Sequence, residues 1–375
     1  GLVAAAIIAA PAAVAVLNTD VVLRGFGVGG DIIAMGRGYA QASALTIVAM
    51  LFVAVWRNVF AACGHPRVFL AATLMALPLN AILNGVLMYG WGPVPAFGLT
   101  GAGMASADVA GFLAAGLGFF AAVSPAMRRY DLFRRIWRVD VAKLRELFRV
   151  GIPIGFSSLA EYGIWLISTV IVSLFGAEVL AAHAIALRMA GVVYSVPVSL
   201  SQAAAIRVGY AVGTGDGAAL RRSIATAMTV GVLGTVTLSL SLIALRHVIP
   251  LAFLSESVAG AGEVAALASV LLVLLGTVIF TDGPRAIAIG VLRGLKDTRA
   301  TLAIAVAGYW VVGVPFGLFM AFLRDWGAAG IWVGILTGVA VTATLCCVRL
   351  RARLAGSSGE SAVSFRADEQ AVAAG

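Results

Sequence analysis

Charged residues are scarce in this chain. Only 11% of its 375 residues are Asp, Glu, Lys or Arg, whereas soluble globular domains carry about 25%. Hydrophobic residues make up 61% of the sequence, and the mean hydropathy is +1.03. No single water-soluble core can hide so much apolar surface. The composition therefore excludes a soluble globular domain and indicates that lipid solvates the chain.

Cysteine is equally rare, with three residues at Cys63, Cys346 and Cys347. Their spacing suits neither a disulfide framework nor a metal site. Cys346 and Cys347 are adjacent within an apolar run, which favours a structural role over a redox role. No cofactor is expected from this pattern.

Motifs of nucleotide-driven and hydrolytic enzymes are also missing. The chain contains no G-x-x-x-x-G-K-[ST] loop, no H-E-x-x-H and no G-x-S-x-G. The segment 25–30 matches the glycine pattern of a dinucleotide site, but it follows an apolar run and opens no βαβ unit, so we reject that interpretation. We therefore predict that the chain is not an enzyme, and that an ion gradient or a partner supplies its energy.

Ten apolar runs of about 20 residues are present, which is the length that a helix needs to cross a bilayer. The runs are continuous rather than alternating, and this excludes a transmembrane β-barrel. Because backbone groups in lipid must be satisfied within each segment, we predict an all-α polytopic membrane protein. The predicted spans are 2–23, 40–62, 68–90, 98–124, 151–174, 179–205, 222–245, 264–292, 301–322 and 328–348.

The basic residues predict the orientation of these spans, because cytoplasmic loops of membrane proteins collect Lys and Arg. If the segment 125–150 is cytoplasmic, 19 of the 26 basic residues lie on the cytoplasmic side, four lie outside and three lie within spans. The net charge of +9 is then a topology signal, and no nucleic-acid partner is expected. We predict a multi-pass protein of the inner (plasma) membrane with both ends of the chain in the cytoplasm.

The basic segment 125–150 also divides the chain. It follows an N-terminal lobe, 1–124, with four spans and precedes a C-terminal lobe, 151–350, with six. Apolar residues at helical spacing within 141–148 predict an amphipathic helix in this linker, on the inner membrane surface. The tail 351–375 is rich in Ser, Glu, Ala and Gly, and we predict that it is disordered and cytoplasmic.

The two halves repeat one pattern. A segment that ends in Arg67 opens the third span, and a similar segment that ends in Arg299 opens the ninth. Each of these spans leads to a G-x-x-G element, 98–101 or 327–330. Both copies have the same orientation, as in parallel repeats about an axis along the membrane normal. We therefore expect a design of 6 + 6 helices from which two are missing before Gly1, which leaves 4 + 6.

Three acidic residues lie deep within predicted spans. Glu161 and Asp282 lie about 15 Å from the cytoplasmic ends of their helices, and Asp108 lies as far from an outer end. An acid at mid-bilayer costs roughly 2.5–3.5 kcal/mol on insertion, so each is a candidate for binding a proton, Na⁺ or an organic cation. The alternative is a structural ion pair, because Arg285 lies three residues from Asp282 on the same helix face.

Other polar residues within the spans are less informative. Asn80 and Asn84 share a face of the third span at i, i+4 spacing. Such a pair either bonds neighbouring helices or lines a site, and the spacing alone leaves both open. Arg57 is expected to extend its charge towards the interface. A lone histidine such as His183 is more often structural than functional.

Several motifs are distinctive in combination. They are Gly151-Ile-Pro-Ile-Gly155 with Glu161-Tyr-Gly163, Ala181-Ala-His-Ala-Ile185, Ala205-Ile-Arg-Val-Gly209 with Gly215-Asp216, Asp282 with Leu292-Arg-Gly-x-Lys296-Asp297, and Leu79-Asn80 with Leu83-Asn84 and Tyr89-Gly90. Over about 1–350 the chain resembles the multidrug and toxic compound extrusion (MATE) family, in its bacterial NorM-like branch.

The resemblance implies twelve helices in two six-helix bundles, alternating access, and export of cationic drugs against Na⁺ or H⁺. By position, Glu161 and Asp282 match the family's cation-coupling acids and would be the ligands of a bound Na⁺. Asn80 and Asn84 match its polar pair in the N-terminal lobe. The chain departs from the family's pattern where Arg285 replaces a common Gln and Val278 replaces a frequent aromatic residue. Both departures leave the coupling ion open.

The resulting expectation is a monomeric antiporter in the lipid bilayer that binds small organic cations in a central cavity between the lobes. Glu161, Asp282, Asn80, Asn84, Asp108 and Arg285 are the predicted ion- and substrate-binding residues. One alternative is a lipid-linked oligosaccharide flippase of the same superfold, which Arg57, Arg188 and Arg285 would suit. Another is a non-transporting scaffold or channel, against which the mid-bilayer acids argue. A chain that lacks two helices could also be inactive.

Overall fold

The computed structural model describes residues 1–25, 30–128, 130, 132–133, 140–254 and 260–356. Most of the glycine motif at 25–30, most of the basic linker between 129 and 139, and the tail from 357 lie outside the described residues. The prediction of a disordered tail over 351–375 is wrong for residues 351–356, which belong to the last helix, and stays a prediction from 357 onward. Within the described residues the fold is all helical, apart from one isolated β-bridge between Trp91 and Val94.

The described residues divide into two compact units, the first from Gly1 to Leu144 and the second from Arg145 onward. Helices of the first unit are α1 (Leu2–Leu17), α2 (Thr19–Gly25), α3 (Gly30–Ala62), α4 (Pro66–Tyr89), α5 (Gly98–Val123) and α6 (Pro125–Arg128). The next helix, α7 (Val141–Val172), begins just before the boundary. The second unit continues with α8 (Ala177–Val193), α9 (Ser195–Thr214), α10 (Gly217–Ala244), α11 (Ala261–Gly294), α12 (Thr298–Ala305), α13 (Val314–Leu318) and α14 (Gly327–Gly356).

Shorter helical segments complete these elements. Ser173–Phe175 and Pro250–Ala252 are 3₁₀ turns. Val306–Gly313 and Phe319–Leu323 are π-helical and flank α13, so the apolar stretch from α12 onward is one rod of mixed helix types. Pro315 lies in this rod and has no N–H to donate, which disfavours regular α-helical bonding just before it.

In the part of the chain that the structure describes, nine helical stretches are long and apolar enough to cross a membrane. They confirm nine of the ten predicted spans and the multi-pass fold class. The stretches are Gly36–Ala62, Pro66–Tyr89, Gly98–Val123, Val141–Phe175, Ala177–Thr214, Gly217–Ala244, Ala261–Gly294, Thr298–Leu323 and Gly327–Ala355.

The first predicted span, 2–23, is wrong as a single helix. The structure divides it at Asn18 into α1, which has 16 residues, and the short α2. The side-chain amide of Asn18 donates to the carbonyl of Val14 at 2.7 Å, and the hydroxyl of Thr19 donates to the carbonyl of Val16 at 2.6 Å. These side chains satisfy the backbone carbonyls locally, which is how Asn and Thr end helices.

The amphipathic stretch predicted within 125–150 is helical at 141–148, but it is not a separate element from the following span. Residues 141–148 form the first turns of α7, which runs without a break to Val172. Pro153 lies inside the helix and does not interrupt it. The charged first turns are exposed and the apolar part follows directly, so one helix carries both patterns.

The core of the second unit is built around α11. This helix packs against α8, α9, α10 and α14, and nearly every residue from 271 to 292 is buried or partly buried. Small residues allow the close approach, as in other membrane helix pairs. A Cβ at Gly290 would overlap the carbonyl of Ser201 on α9, and one at Gly283 would overlap the hydroxyl of Thr235 on α10.

Helix ends in the two units repeat one local structure. At the ends of α3 and α11, Gly64 (φ 79°) and Lys296 (φ 58°) adopt the left-handed conformation. In both places the following N–H bonds back to the carbonyl five residues earlier, at 2.8 and 2.9 Å. This is the Schellman arrangement that closes a helix. The sequence repeat thus corresponds to a repeat in the backbone.

The G-x-x-G elements also fold alike. Gly98 and Gly327 have φ of 56° and 54° at the starts of α5 and α14. A Cβ at Gly101 would overlap a carbonyl near the end of α4, and a Cβ at Gly330 would lie 2.5 Å from the backbone nitrogen of Ala321. The second glycine of each element is therefore required because the preceding segment passes directly against it.

A carboxylate outside the membrane spans connects two helix ends of the second unit. Asp297, in the turn between α11 and α12, accepts from Nε of Arg349 at 2.9 Å and from Nε of Arg353 at 2.7 Å, both on α14. Burial by itself would raise the pKa of Asp297, but the hydrogen bonds and charges of Arg353 and Arg349 outweigh it and hold the pKa of this carboxyl below its ordinary value. The ionised form therefore stabilises this end of the unit.

Gly330→Ala should lower the thermal stability of the purified protein, by about 1–3 kcal/mol, because the added methyl group is forced against the backbone of Ala321. Gly191→Ala is the matched control, since a Cβ there meets nothing within 4 Å. Thermal unfolding in detergent measures both variants. Equal midpoints for Gly330→Ala and the wild type would contradict the close approach.

Asp297→Asn should destabilise the protein at neutral pH by roughly 1–3 kcal/mol, because the hydrogen bonds from Arg349 and Arg353 lose the negative charge of their acceptor. Since the folded-state pKa is lowered, the contribution of Asp297 is present above the unfolded-state value of about 3.9 and is lost as the pH falls through the lower folded-state value. Unfolding midpoints measured from neutral pH into acid should therefore converge for variant and wild type. The exposed Asp325→Asn is the control, and a constant difference down to low pH would contradict the ion pair.

Candidate functional site

Two carboxylates and a guanidinium meet inside the second unit. Glu161 comes from α7, and Asp282 and Arg285 lie one turn apart on α11. Arg285 donates through Nε to Oδ1 of Asp282 at 2.5 Å and through Nη2 to Oε1 of Glu161 at 2.6 Å. The exposed side-chain fractions are 0% for Asp282, 3% for Arg285 and 14% for Glu161. The structure thus brings together three of the six predicted site residues as a buried charge cluster.

Tyr194, which the sequence analysis did not single out, completes this cluster. Its hydroxyl oxygen lies 2.7 Å from Oε1 of Glu161 and 3.1 Å from Oδ1 of Asp282, and it accepts a hydrogen bond from Nη2 of Arg285 at 2.7 Å. The single hydroxyl hydrogen can point to one carboxylate at a time, and the shorter distance favours Glu161. Tyr194 thereby makes a second connection between α7 and α11, beside the bond from Arg285 to Glu161.

The position of Tyr194 follows from a proline. Tyr194 lies where α8 ends and α9 begins, within a 38-residue apolar stretch. Pro197 has no N–H, so the carbonyl of Val193 lacks its usual donor four residues on, and the helix changes there. The hydroxyl of Ser195 bonds the carbonyl of Val192 at 2.7 Å at the same junction. The sequence did carry a signal for this break. The apolar stretch is too long for one span, and a proline lies near its middle.

Aromatic side chains lie against another side of the Arg285 guanidinium. The Cζ atom of Arg285 lies 5.9 Å from the ring centroid of Tyr309, within the range of a cation–π contact. The ring of Trp165 packs edge-on against Tyr194 at 6.3 Å. Within the described residues, the Tyr309 hydroxyl and Oδ2 of Asp282 are buried without a hydrogen-bond partner. Buried polar atoms of this kind are rare and point to a functional role or to a bound water or ion.

His183 lies close to these aromatic residues, and its contacts are those of a structural residue. Its side chain is fully buried. Nδ1 accepts from the indole N–H of Trp332 at 3.0 Å, so the ring hydrogen is on Nε2, which lies 3.2 Å from the Thr169 hydroxyl. Both ring nitrogens are used, and this agrees with the structural role expected for a lone histidine.

The charge of the cluster defines what it can do. With both carboxylates ionised, Glu161 and Asp282 contribute two negative charges and Arg285 one positive charge, so the cluster has a net charge of −1. Burying charges is tolerated when they are paired and hydrogen-bonded, and two of the three charges are balanced in this way. The remaining negative charge can attract one further monovalent cation or a proton.

The other three predicted site residues belong to the first unit. The side-chain amide of Asn84 donates to Oδ1 of Asn80 at 3.0 Å and to the carbonyl of Asn80 at 2.9 Å. The two asparagines therefore bond to each other along α4, and both are partly buried. Asp108 lies on the exposed side of α5. The structure shows these bonds and positions, and the binding roles of all three stay predictions.

Tyr194→Phe should lower the thermal stability of the purified protein by about 1–3 kcal/mol, because Glu161 and Arg285 each lose a buried hydrogen-bond partner. Tyr162→Phe is the control, since Tyr162 is next to Glu161 on α7 but is 62% exposed. Thermal unfolding in detergent compares the two variants. The role of the hydroxyl is disproved if both variants unfold at the wild-type temperature.

Comparison with known proteins identifies the family of this chain. A family model described as MatE matches residues 1–86 and 153–319. A relative from Brucella suis biovar 1 (strain 1330), named "Probable multidrug resistance protein NorM", is 34% identical over 332 residues, which are 88% of this chain and 70% of the relative. A relative of the same name from Bradyrhizobium diazoefficiens is 35% identical over 357 residues, 94% of this chain and 75% of the relative.

Solved structures share the fold. The crystal structure of the eukaryotic MATE transporter AtDTX14 matches with a TM-score of 0.83 at 20% identity, over 93% of this chain and 76% of that one. The outward-facing conformation of a multidrug resistance MATE family transporter of the MOP superfamily matches with a TM-score of 0.84 at 18% identity, over 95% of this chain and 77% of that one. At these identities the likeness shows the fold alone.

The family model covers more than half of the chain, and the relatives are more than 30% identical over most of its length. Members of this family are transporters, so the prediction that the chain is not an enzyme is confirmed. The resemblance expected from the motifs is confirmed as well: the chain belongs to the MatE family of membrane transporters, in its bacterial NorM-like branch.

Proposed function

We propose that this chain acts in multidrug efflux by exporting small organic cations in exchange for Na⁺ or protons, through alternating access. The curated relatives are named as multidrug resistance proteins, which supports the drug-export part of the proposal. The buried cluster of Glu161, Asp282 and Arg285, with its net charge of −1, is the observation that carries the cation-exchange part. No resident cofactor is proposed.

In the proposed mechanism, the driving ion and the drug compete for the excess negative charge of the cluster. A cation or proton that neutralises Glu161 or Asp282 weakens the attraction for an organic cation, and the organic cation weakens the attraction for the ion by the same factor. This mutual exclusion couples the two fluxes. Tyr194 contributes by holding both carboxylates at hydrogen-bond distance from one hydroxyl.

We also propose the location and orientation of the chain. The basic residues concentrate on one side of the predicted spans, and the ion pairs of Asp297 with Arg349 and Arg353 lie at a helix end on that side. Cytoplasmic loops collect such residues. This supports a protein of the inner membrane with both ends of the chain in the cytoplasm. We propose that it works as a monomer.

The flippase alternative receives less support from the structure. A lipid-linked oligosaccharide carries phosphate, and its carrier needs unpaired cations to bind that phosphate. Arg285 is instead paired with two carboxylates. Arg188 is exposed on α8 and lies outside this cluster. An acidic cluster with a net negative charge favours a cationic substrate.

Efflux of a fluorescent organic cation from proteoliposomes tests the proposal. The drive is a Na⁺ gradient alone or a proton gradient alone. Glu161→Gln should reduce efflux by roughly tenfold or more under the gradient that drives the wild type, because half of the carboxylate pair is neutralised. Glu263→Gln is the control, since Glu263 is an exposed acid at the other end of α11. Unchanged efflux in Glu161→Gln would rule out the assignment.

A further inference from the structure

Na⁺ is one of the two ions considered for the Glu161–Asp282 pair, and the side chains around the pair do not suit it. We propose that Arg285 is a resident cation that takes the place of Na⁺ between the two carboxylates, so that this chain does not bind Na⁺ there. The proposal rests on the proposed function above and narrows its coupling ion. It makes Arg285 a specificity-determining residue.

The carboxylate oxygens that face each other are already occupied by hydrogen-bond donors. Oδ1 of Asp282 accepts from Nε of Arg285 at 2.5 Å, and Oε1 of Glu161 accepts from Nη2 at 2.6 Å. The Tyr194 hydroxyl lies at 2.7 and 3.1 Å from the same two oxygens. A metal ion needs the lone pairs at which these hydrogens point. Na⁺ could therefore enter only if Arg285 left.

Arg285 cannot leave by losing its charge, because a guanidinium stays protonated in proteins. Its position is held by two planar N–H···O contacts, by the Tyr194 hydroxyl and by the ring of Tyr309 at 5.9 Å. The side chain is only 3% exposed. Because this fixed positive charge lies between Oε1 of Glu161 and Oδ1 of Asp282, its repulsion of a second cation is strongest at that place, although the cluster as a whole has a net charge of −1.

Within the described residues, the titratable neighbours of the cluster add no further carboxylate. Arg293 on α11, Tyr194, Tyr309 and Cys346 on α14 are among the groups that interact with the three charges. Within the described ranges, no group of three or more His, Cys, Asp and Glu residues could hold a metal ion.

Two carboxylate oxygens, Oδ2 of Asp282 and Oε2 of Glu161, receive no hydrogen bond from Arg285. Oδ2 is buried and has no hydrogen-bond partner among the described residues, and the same holds for the Tyr309 hydroxyl. These oxygens are fewer than the six or so oxygen ligands that hard cations such as Mg²⁺ and Ca²⁺ collect in proteins. The guanidinium thus takes the oxygens between the two acids and leaves an incomplete set of ligands for Na⁺.

Equilibrium binding of radioactive Na⁺ to the purified full chain in lipid nanodiscs tests this proposal. The wild type should show no saturable Na⁺ binding. Arg285→Gln should bind Na⁺ at least about tenfold more tightly than the wild type, because the resident charge is removed and two carboxylates remain. Adding Asp282→Asn to Arg285→Gln should abolish that binding. Saturable Na⁺ binding by the wild type that disappears in Asp282→Asn would overturn the proposal without reference to any Arg285 variant.

Two further variants test whether the effect depends on the charge of Arg285, on its planar shape, or merely on the loss of any arginine. Arg285→Lys keeps the positive charge but loses the planar fork, so it should still exclude Na⁺, and Na⁺ binding equal to that of Arg285→Gln would contradict a role for the charge. Arg188→Gln removes an exposed arginine of α8 and should leave binding at the wild-type level. If Arg285→Gln does not fold, the absence of saturable Na⁺ binding in the wild type remains the test of the proposal.

Transport distinguishes this proposal from the proposed function. Dye efflux by the wild type under a Na⁺ gradient alone should be absent, whereas Glu161→Gln should still lose the efflux that the proton gradient drives. Wild-type efflux driven by Na⁺ with bound Na⁺ at Asp282 would overturn the role of Arg285 and leave the proposed antiporter intact. Efflux that is insensitive to Glu161→Gln, with no Na⁺ binding, would overturn the antiporter site and leave the exclusion of Na⁺ standing.

Discussion

The hydrogen bonds from Arg285 to Asp282 and Glu161 are the interactions around which the second unit is organised. Lipid offers an acid nothing to pair with, so a charge at this depth is tolerated only when the protein supplies its partner. One guanidinium donates hydrogen bonds to two acids from different helices. Because its N–H groups point in fixed directions in one plane, Glu161 on α7 and Asp282 on α11 must present their carboxylates at matching positions. Tyr194 and Tyr309 then pack against the same group.

Close packing of α11 makes this pairing possible. Membrane helices gain little from the hydrophobic effect when they associate, so their contacts depend on small residues and on van der Waals packing. Gly283 and Gly290 let α10 and α9 come within contact distance of the α11 backbone, on either side of Arg285. The same logic governs Gly101 and Gly330 at the starts of α5 and α14. Glycine is required in each of these places because a neighbouring segment occupies the space of a Cβ.

The sequence-based expectations failed where local side-chain chemistry competes with the apolar pattern. The run 2–23 is apolar enough for one helix, yet Asn18 and Thr19 bond the carbonyls before them and divide it. The segment 141–148 has the pattern of a surface helix, but nothing at its end caps it or turns the chain, so it continues into α7. Hydropathy measures transfer into lipid and is insensitive both to side-chain bonding that divides a helix and to a missing helix end. Nine of the ten spans depend on hydropathy alone and were predicted correctly.

The sequence by itself determined the membrane class, the apolar helices, the family and the positions of Glu161 and Asp282 within those helices, because each depends on composition, length or motifs along one chain. It also raised the pairing of Asp282 with Arg285, since i, i+3 residues share a helix face. Only the tertiary structure decided that the same guanidinium reaches Glu161, 124 residues away, and that Tyr194 joins them at 2.7 Å. Such contacts depend on how helices rotate and approach in three dimensions, and the spacing of residues along the chain carries no record of that.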